Sequence, residues 1–159
     1  MFQIIVDSAA NIPAQLVKQY NINVISFVNF VNGKSVTCFD PYLTPEKERS
    51  KGKEYYNAIR SGAEVKTGLI SSGDFEDYFR KIMEQGEDIL YISLSSGISG
   101  TFNSARIAAE DLMENPPENR KIRLLDSLNA SLAQGILAIY ASEMREQGME
   151  VDAVADTLQ

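Results

Sequence analysis

The sequence predicts an α/β fold, a mostly parallel β-sheet with helices on both faces in three α/β/α layers. Two observations predict it. Segments of strand character alternate with segments of helical apolar periodicity along all 159 residues. The stretches 2–6 and 88–94 are nearly continuous apolar runs, which is the pattern of strands covered on both sides.

Taken in order, residues 2–6 form a strand ending at Asp7-Ser8. Pro13 opens a helix through Leu16, Val17 and Tyr20, with Asn11 as its cap. Residues 22–31 read as one β-branched and aromatic strand, and Asn32-Gly33 turns it into a hairpin with 34–37. Thr44-Pro45 is the cap and first turn of a helix towards Ile59, although Lys51-Gly52-Lys53 weakens its middle and draws its expected start towards Gly52. Residues 65–67 make a brief strand. Phe75, Tyr78, Phe79, Ile82 and Met83 then repeat at helical spacing, with Ser72 as cap and Gly86 as stop. Residues 88–94 are the strongest strand, and a glycine-rich turn leads into a helix from about 101 to 113, stopped at Asn115-Pro116-Pro117. A strand at 121–125 ends in Asp126-Ser127. A long amphipathic helix, 131–147, is expected to turn Leu132, Ile136, Ile139 and Tyr140 inward. The whole of 1–159 is expected to be a single α/β domain, whose last helix, at about 150–159, leads into a second domain.

Composition excludes several classes of function. A net charge of -7 with a sequence pI near 4.6 opposes binding to a phosphate backbone, which needs clustered Lys and Arg, so no nucleic-acid partner is expected. The chain contains no histidine, which removes Ser-His-Asp triads, Cys-His pairs and most catalytic zinc sites. One cysteine, Cys38, has no second thiol to pair with, and a reducing compartment suits it. No apolar run reaches the roughly 18 residues of a membrane span, and residues 1–6 lack the basic start of a secretory signal. A cytoplasmic protein without metal or cofactor is expected.

In parallel sheets ligands gather at the carboxyl ends of strands. Here those ends carry Asp7-Ser8, Thr67, the stretch 93–101 and Asp126-Ser127. Within that stretch Ser95, Ser96, Gly97, Ser99, Gly100 and Thr101 lie between a buried strand and a helix start, where backbone amides and the helix dipole favour a carboxylate or phosphate. The same residues also serve ordinary turn and capping chemistry. Thr67 and Ser71 face the same crevice if their strand adjoins the first, and otherwise cap a helix. No Walker or G-x-G-x-x-G pattern is present.

Val6-Asp7-Ser8-Ala9-Ala10-Asn11-Ile12-Pro13, Ser95-Ser96-Gly97-Ile98-Ser99-Gly100-Thr101-Phe102-Asn103-Ser104-Ala105, and Leu125-Asp126-Ser127 with Ser131-Leu132 and Gln134-Gly135 resemble, in order, three motifs of the DegV family. The resemblance implies the amino-terminal portion of a bacterial fatty-acid-binding protein of the FakB type. Such a protein holds a long-chain fatty acid and presents its carboxylate to a separate fatty acid kinase, feeding phospholipid synthesis, and is not itself an enzyme. It implies carboxylate contacts from Thr67, Ser95, Ser96, Gly97 and Ser99, with Asp7, Ser8, Ser71, Gly100, Thr101, Asp126 and Ser127 supporting the crevice. Thr67-Gly68-Leu69-Ile70-Ser71 departs from the family's usual Thr-Ser-Gln-Pro-Ser. The alternative is an enzyme acting on a small phosphorylated or carboxylated metabolite in the same crevice, because phosphate suits such loops equally well.

Overall fold

The computed structural model describes residues 2–159, the side chain of Glu118 excepted. In chain order the elements are β1 (Phe2–Asp7), α1 (Ala14–Gln19), β2 (Ile22–Ile25), β3 (Val28–Val31), β4 (Lys34–Thr37), α2 (Pro45–Arg60), β5 (Val65–Gly68), α3 (Ser72–Met83), β6 (Asp88–Ser93), α4 (Thr101–Glu114), β7 (Ile122–Asp126), α5 (Leu132–Glu146) and α6 (Val151–Leu158). Four strands form a parallel sheet in the order β2-β1-β6-β7, and three form an antiparallel sheet in the order β4-β3-β5.

The parallel sheet is covered on both faces, as the continuous apolar strands require. Ile4, Val6, Leu90, Ile92 and Leu125 point to the side of α5 and α6, joining Ala138, Ala141, Val151 and Val154. Ile5, Ile89 and Tyr91 point to the opposite side and pack with Phe75, Phe79, Met83, Ala108 and Leu112 of α3 and α4. Strand alternation divides one apolar run between two cores. Burying each such large side chain contributes about 1.5–3 kcal/mol.

Several expectations are corrected. The run 22–31 is two strands in two sheets, because the Phe27 amide donates to Ser8 Oγ at 3.0 Å, which ends the parallel ladder at Ile25. The strand at 65–67 pairs with β3 in the antiparallel sheet, not with the parallel one. Helix caps shift as well: Ser71, not Ser72, caps α3 in a reciprocal box with Asp74, and Asn11 adopts a left-handed backbone (φ 51°) two residues before α1's capping position. The helix after Thr44 starts at Pro45, its Thr44 Oγ1 accepting from the Lys47 amide, so Gly52 sits well inside it.

A further correction concerns α5. Leu132, Ile136 and Tyr140 are exposed by 64%, 48% and 51%, whereas Gln134, Gly135, Ala138, Ala141 and Ser142 face inward. A Cβ on Gly135 would lie 2.9 Å from Ile12 Cγ1 and 3.0 Å from the Ala10 carbonyl oxygen, so the helix presses against the turn after β1 too closely for large side chains. Ile139 does pack at the edge of the core, as expected. The hairpin turn is also as read, with Asn32 at φ 49° and Gly33 at φ 77°.

Candidate functional site

From β1 the chain crosses to β2 on one side, while β6 and β7 extend the sheet on the other. The strand ends therefore diverge between Asp7 and Ser93, the switch point at which α/β sheets open a crevice. Asp7 is fully buried there. Its Oδ1 accepts from the Ala9 amide at 3.0 Å, and its Oδ2 accepts from the Tyr91 hydroxyl at 3.0 Å, the Leu94 amide at 2.8 Å and Gln134 Nε2 at 3.2 Å. One carboxylate thus ties together the turn after β1, the middle of β6, the loop after β6 and α5. Burial, and next the facing Asp7 charge, push the Tyr91 phenol far above its ordinary range, so it stays a donor. Gln134 Nε2 also donates to the Ile92 carbonyl at 3.1 Å. Tyr91 and Gln134 were given no role from sequence. Their signal was a polar side chain inside an otherwise apolar strand and a Gln beside the close-packing Gly135.

The loop from Leu94 to Thr101 is held through its main-chain amides. The Ser95 amide donates to Asn129 O (2.9 Å), the Ser96 amide to Asp126 Oδ1 (3.1 Å) and the Gly97 amide to Ser95 Oγ (3.2 Å). The Ile98 and Ser99 amides donate to Ser95 O, and the Thr101 amide to Ser99 Oγ at 3.2 Å. These six amides are committed within the chain, whereas Gly100 at the start of α4 supplies no side-chain cap. Ser95 and Thr101 are buried, with Thr101 Oγ1 2.8 Å from Ser99 Oγ, and Ser96 is exposed. Burial opposes the Asp126 charge, but hydrogen bonds from the Ser96 hydroxyl and amide and the Leu128 amide hold that carboxyl below its ordinary range. Ser127 is buried and exchanges hydrogen bonds with the Asn129 backbone. Ser71 is exposed and engaged in capping α3.

A cleft of about 1430 Å³ opens between the switch point, the antiparallel sheet and α2. Asp7, Ser8, Thr67 and Ser99 from the predicted set line it, together with Leu69, Leu94 and Ile98 of the same loops. Ser71, Ser95, Ser96, Gly97, Gly100, Thr101, Asp126 and Ser127 are not part of that lining. Gly100 would place a Cβ 3.7 Å from Leu69 Cδ1, so the loop after β5 leans against the loop after β6 and the two share one crevice. The rest of the wall is mainly apolar, including Val6, Ile12, Phe27, Val31, Val36, Phe39 and Tyr55. Among the described residues Lys51 is the one cation in the lining, and it lies 3.6 Å from Asp40. α2 buries none of its own side chains but is pinned over the cleft by Glu48 Oε1, which accepts the Ala14 amide at 2.9 Å. Burial raises the Cys38 thiol's pKa against weaker hydrogen bonds to Ser8 and the Asn29 backbone.

The family model described as “Uncharacterised protein, DegV family” matches residues 1–159. The chain belongs to the DegV family. A DegV domain-containing protein of Clostridium perfringens is 36% identical over 154 residues, covering 96% of this chain and 50% of that protein. The DegV domain-containing protein YteA of Lactococcus lactis is 32% identical over 158 residues, covering 99% of this chain and 52% of the other. This chain therefore spans about half the length of the curated DegV relatives it matches. A solved Thermotoga maritima protein, described as revealing fatty acid binding function, superimposes with a TM-score of 0.79 at 31% identity, over 99% of this chain and 53% of that one. A DegV family protein from Thermus thermophilus, described by its fatty acid binding, gives 0.76 at 26% identity, over 99% and 51%. Among the described residues no helix is long and apolar enough to cross a membrane.

Proposed function

We propose that this DegV chain binds a long-chain fatty acid, acyl tail along the cleft and carboxylate at the switch point, and presents the head group to a fatty acid kinase. The carrying observation is the cleft itself. Its walls are mainly apolar, its polar groups near the switch point are the hydroxyls of Ser8, Thr67 and Ser99 beside an Asp7 carboxylate already engaged by four donors, and the one cation in the described lining, Lys51, lies 3.6 Å from Asp40. Its volume, about 1430 Å³, exceeds the roughly 300–1,000 Å³ usual for compact small molecules and favours an elongated ligand. Fatty acid binding by the Thermotoga and Thermus relatives supports the same reading.

Affinity then comes from the tail, at about 0.8 kcal/mol per buried methylene, on the order of 10 kcal/mol gross for a long chain. Orientation comes from hydrogen bonds to the charged carboxylate, each contributing about 1.5–3 kcal/mol. Thr67 and Ser99 donate from the cleft wall. Ser95 and Ser96 complete the set, Ser96 by turning its hydroxyl from Asp126 towards the ligand, and Gly97 leaves room for that turn. Phosphoryl transfer belongs to the kinase, and this protein supplies position. A second domain following α6 closes the open side of the cleft.

The test is native mass spectrometry of the longest natural chain containing residues 1–159, purified without detergent, followed by denaturing extraction. A stoichiometric fatty acid is expected. Release of a phosphorylated metabolite, or a protein that stays empty when offered fatty acids, would replace this reading with that of an enzyme acting on a small anionic metabolite.

A further inference from the structure

We infer that Asn29 reads the ligand's head group alongside Thr67, a role that rests on the fatty-acid reading above. Asn29 on β3 is paired directly opposite Thr67 on β5. Residues so paired project from the same face of a sheet with Cβ atoms about 5 Å apart, and both line the cleft. Two donors at that spacing suit the two oxygens of one carboxylate.

The Asn29 side chain is also not anchored within the protein. Its Oδ1 is buried and has no hydrogen-bond partner among the described residues. A buried carboxamide oxygen without a donor is costly and rare, so no hydrogen bond of the protein's own fixes this side chain. With Oδ1 turned inward, the other end of the carboxamide, Nδ2, carries two uncommitted N–H donors for an anion in the cleft. The cleft needs such donors, because Lys51 is held at 3.6 Å by Asp40 and no other cation stands in the described lining. With the carboxylate in place, Asn29 Nδ2 donates to one oxygen and the Thr67 hydroxyl to the other.

Asn29→Asp keeps the shape and replaces the donor by an anion. Equilibrium dialysis of the longest natural chain with palmitic acid and with hexadecan-1-ol separates head-group reading from tail binding. The variant is expected to bind palmitic acid about tenfold more weakly or worse and hexadecan-1-ol within about twofold of the unsubstituted protein. Asn29→Leu, which removes donor and acceptor together, is expected to lose affinity for the acid alone. Unchanged palmitic acid binding by Asn29→Asp, or equal weakening for acid and alcohol, overturns the assignment of Asn29 while leaving the fatty-acid reading intact. An unsubstituted protein that binds neither compound overturns both.

Discussion

Replacing Asp7 by asparagine changes no volume but removes the charge on which four donors converge. The least costly arrangement keeps a carbonyl oxygen at the Oδ2 position, where the Tyr91 hydroxyl, the Leu94 amide and Gln134 Nε2 meet at 3.0, 2.8 and 3.2 Å. The new NH₂ then faces the Ala9 amide, donor against donor, where a bond of 3.0 Å stood. That loss costs about 1–3 kcal/mol, and the three surviving bonds each fall from charge-assisted to neutral strength, about 1 kcal/mol apiece. Relief from keeping a carboxylate out of water, worth several kcal/mol per ion, offsets part of this. The expected net loss is about 2 kcal/mol, which moves a urea unfolding midpoint by about 1 M at a typical denaturant slope. Native-state hydrogen exchange adds a local readout, because the Leu94 amide loses protection beyond the global change. A variant within about 0.5 kcal/mol of the parent, with Leu94 still protected, would refute the view that Asp7 fixes the loop after β6.

Three further outcomes are expected. Gly135→Ala forces a Cβ to within 2.9 Å of Ile12 Cγ1 and 3.0 Å of a backbone oxygen that cannot yield, and should lower thermal and urea stability by about 1–3 kcal/mol. Because Asp126 has a folded pKa below its ordinary 3.8, the stabilisation it provides is present above that value and is lost as pH falls through the lower folded one. Acid titration followed by circular dichroism should therefore show Asp126→Asn less stable than the parent at about pH 6, with the difference shrinking below about pH 4. Thr67→Val keeps shape and removes a hydroxyl from an exposed strand position, so urea stability should stay within about 0.5 kcal/mol while palmitic acid affinity falls about five- to tenfold.

The parallel sheet was legible because β1 and β6 are short, nearly continuous apolar runs that alternate with helical segments. The second sheet was not. Residues 22–31 carry one continuous apolar signal, and what divides them is a hydrogen bond between the Phe27 amide and Ser8, nineteen positions apart in sequence. Helical period in α5 was also legible while its phase was not, since hydrophobicity favours turning Leu132, Ile136 and Tyr140 inward. The phase is set by how closely Gly135 approaches the Ala10 carbonyl, a distance without a local signature. At the cleft, strand-end chemistry singled out Asp7, Ser8, Thr67 and Ser99, which line it. Asn29 was hidden because its part depends on cross-strand register with Thr67.

The loop after β6 is positioned by main-chain amides reaching Asp7, Asp126 and Asn129. Every amino acid except proline supplies such an amide, so these anchors do not depend on the side chains displayed at positions 96 and 98, whereas the Ser95 and Ser99 hydroxyls, which accept from the Gly97 and Thr101 amides, belong to the frame. Exposed Ser96 and Ile98 are thus free to vary under selection without refolding the frame, whereas Asp7 is not. Such a frame separates the path of the main chain, fixed from beneath, from the exposed side chains at positions 96 and 98, which single substitutions change without moving it.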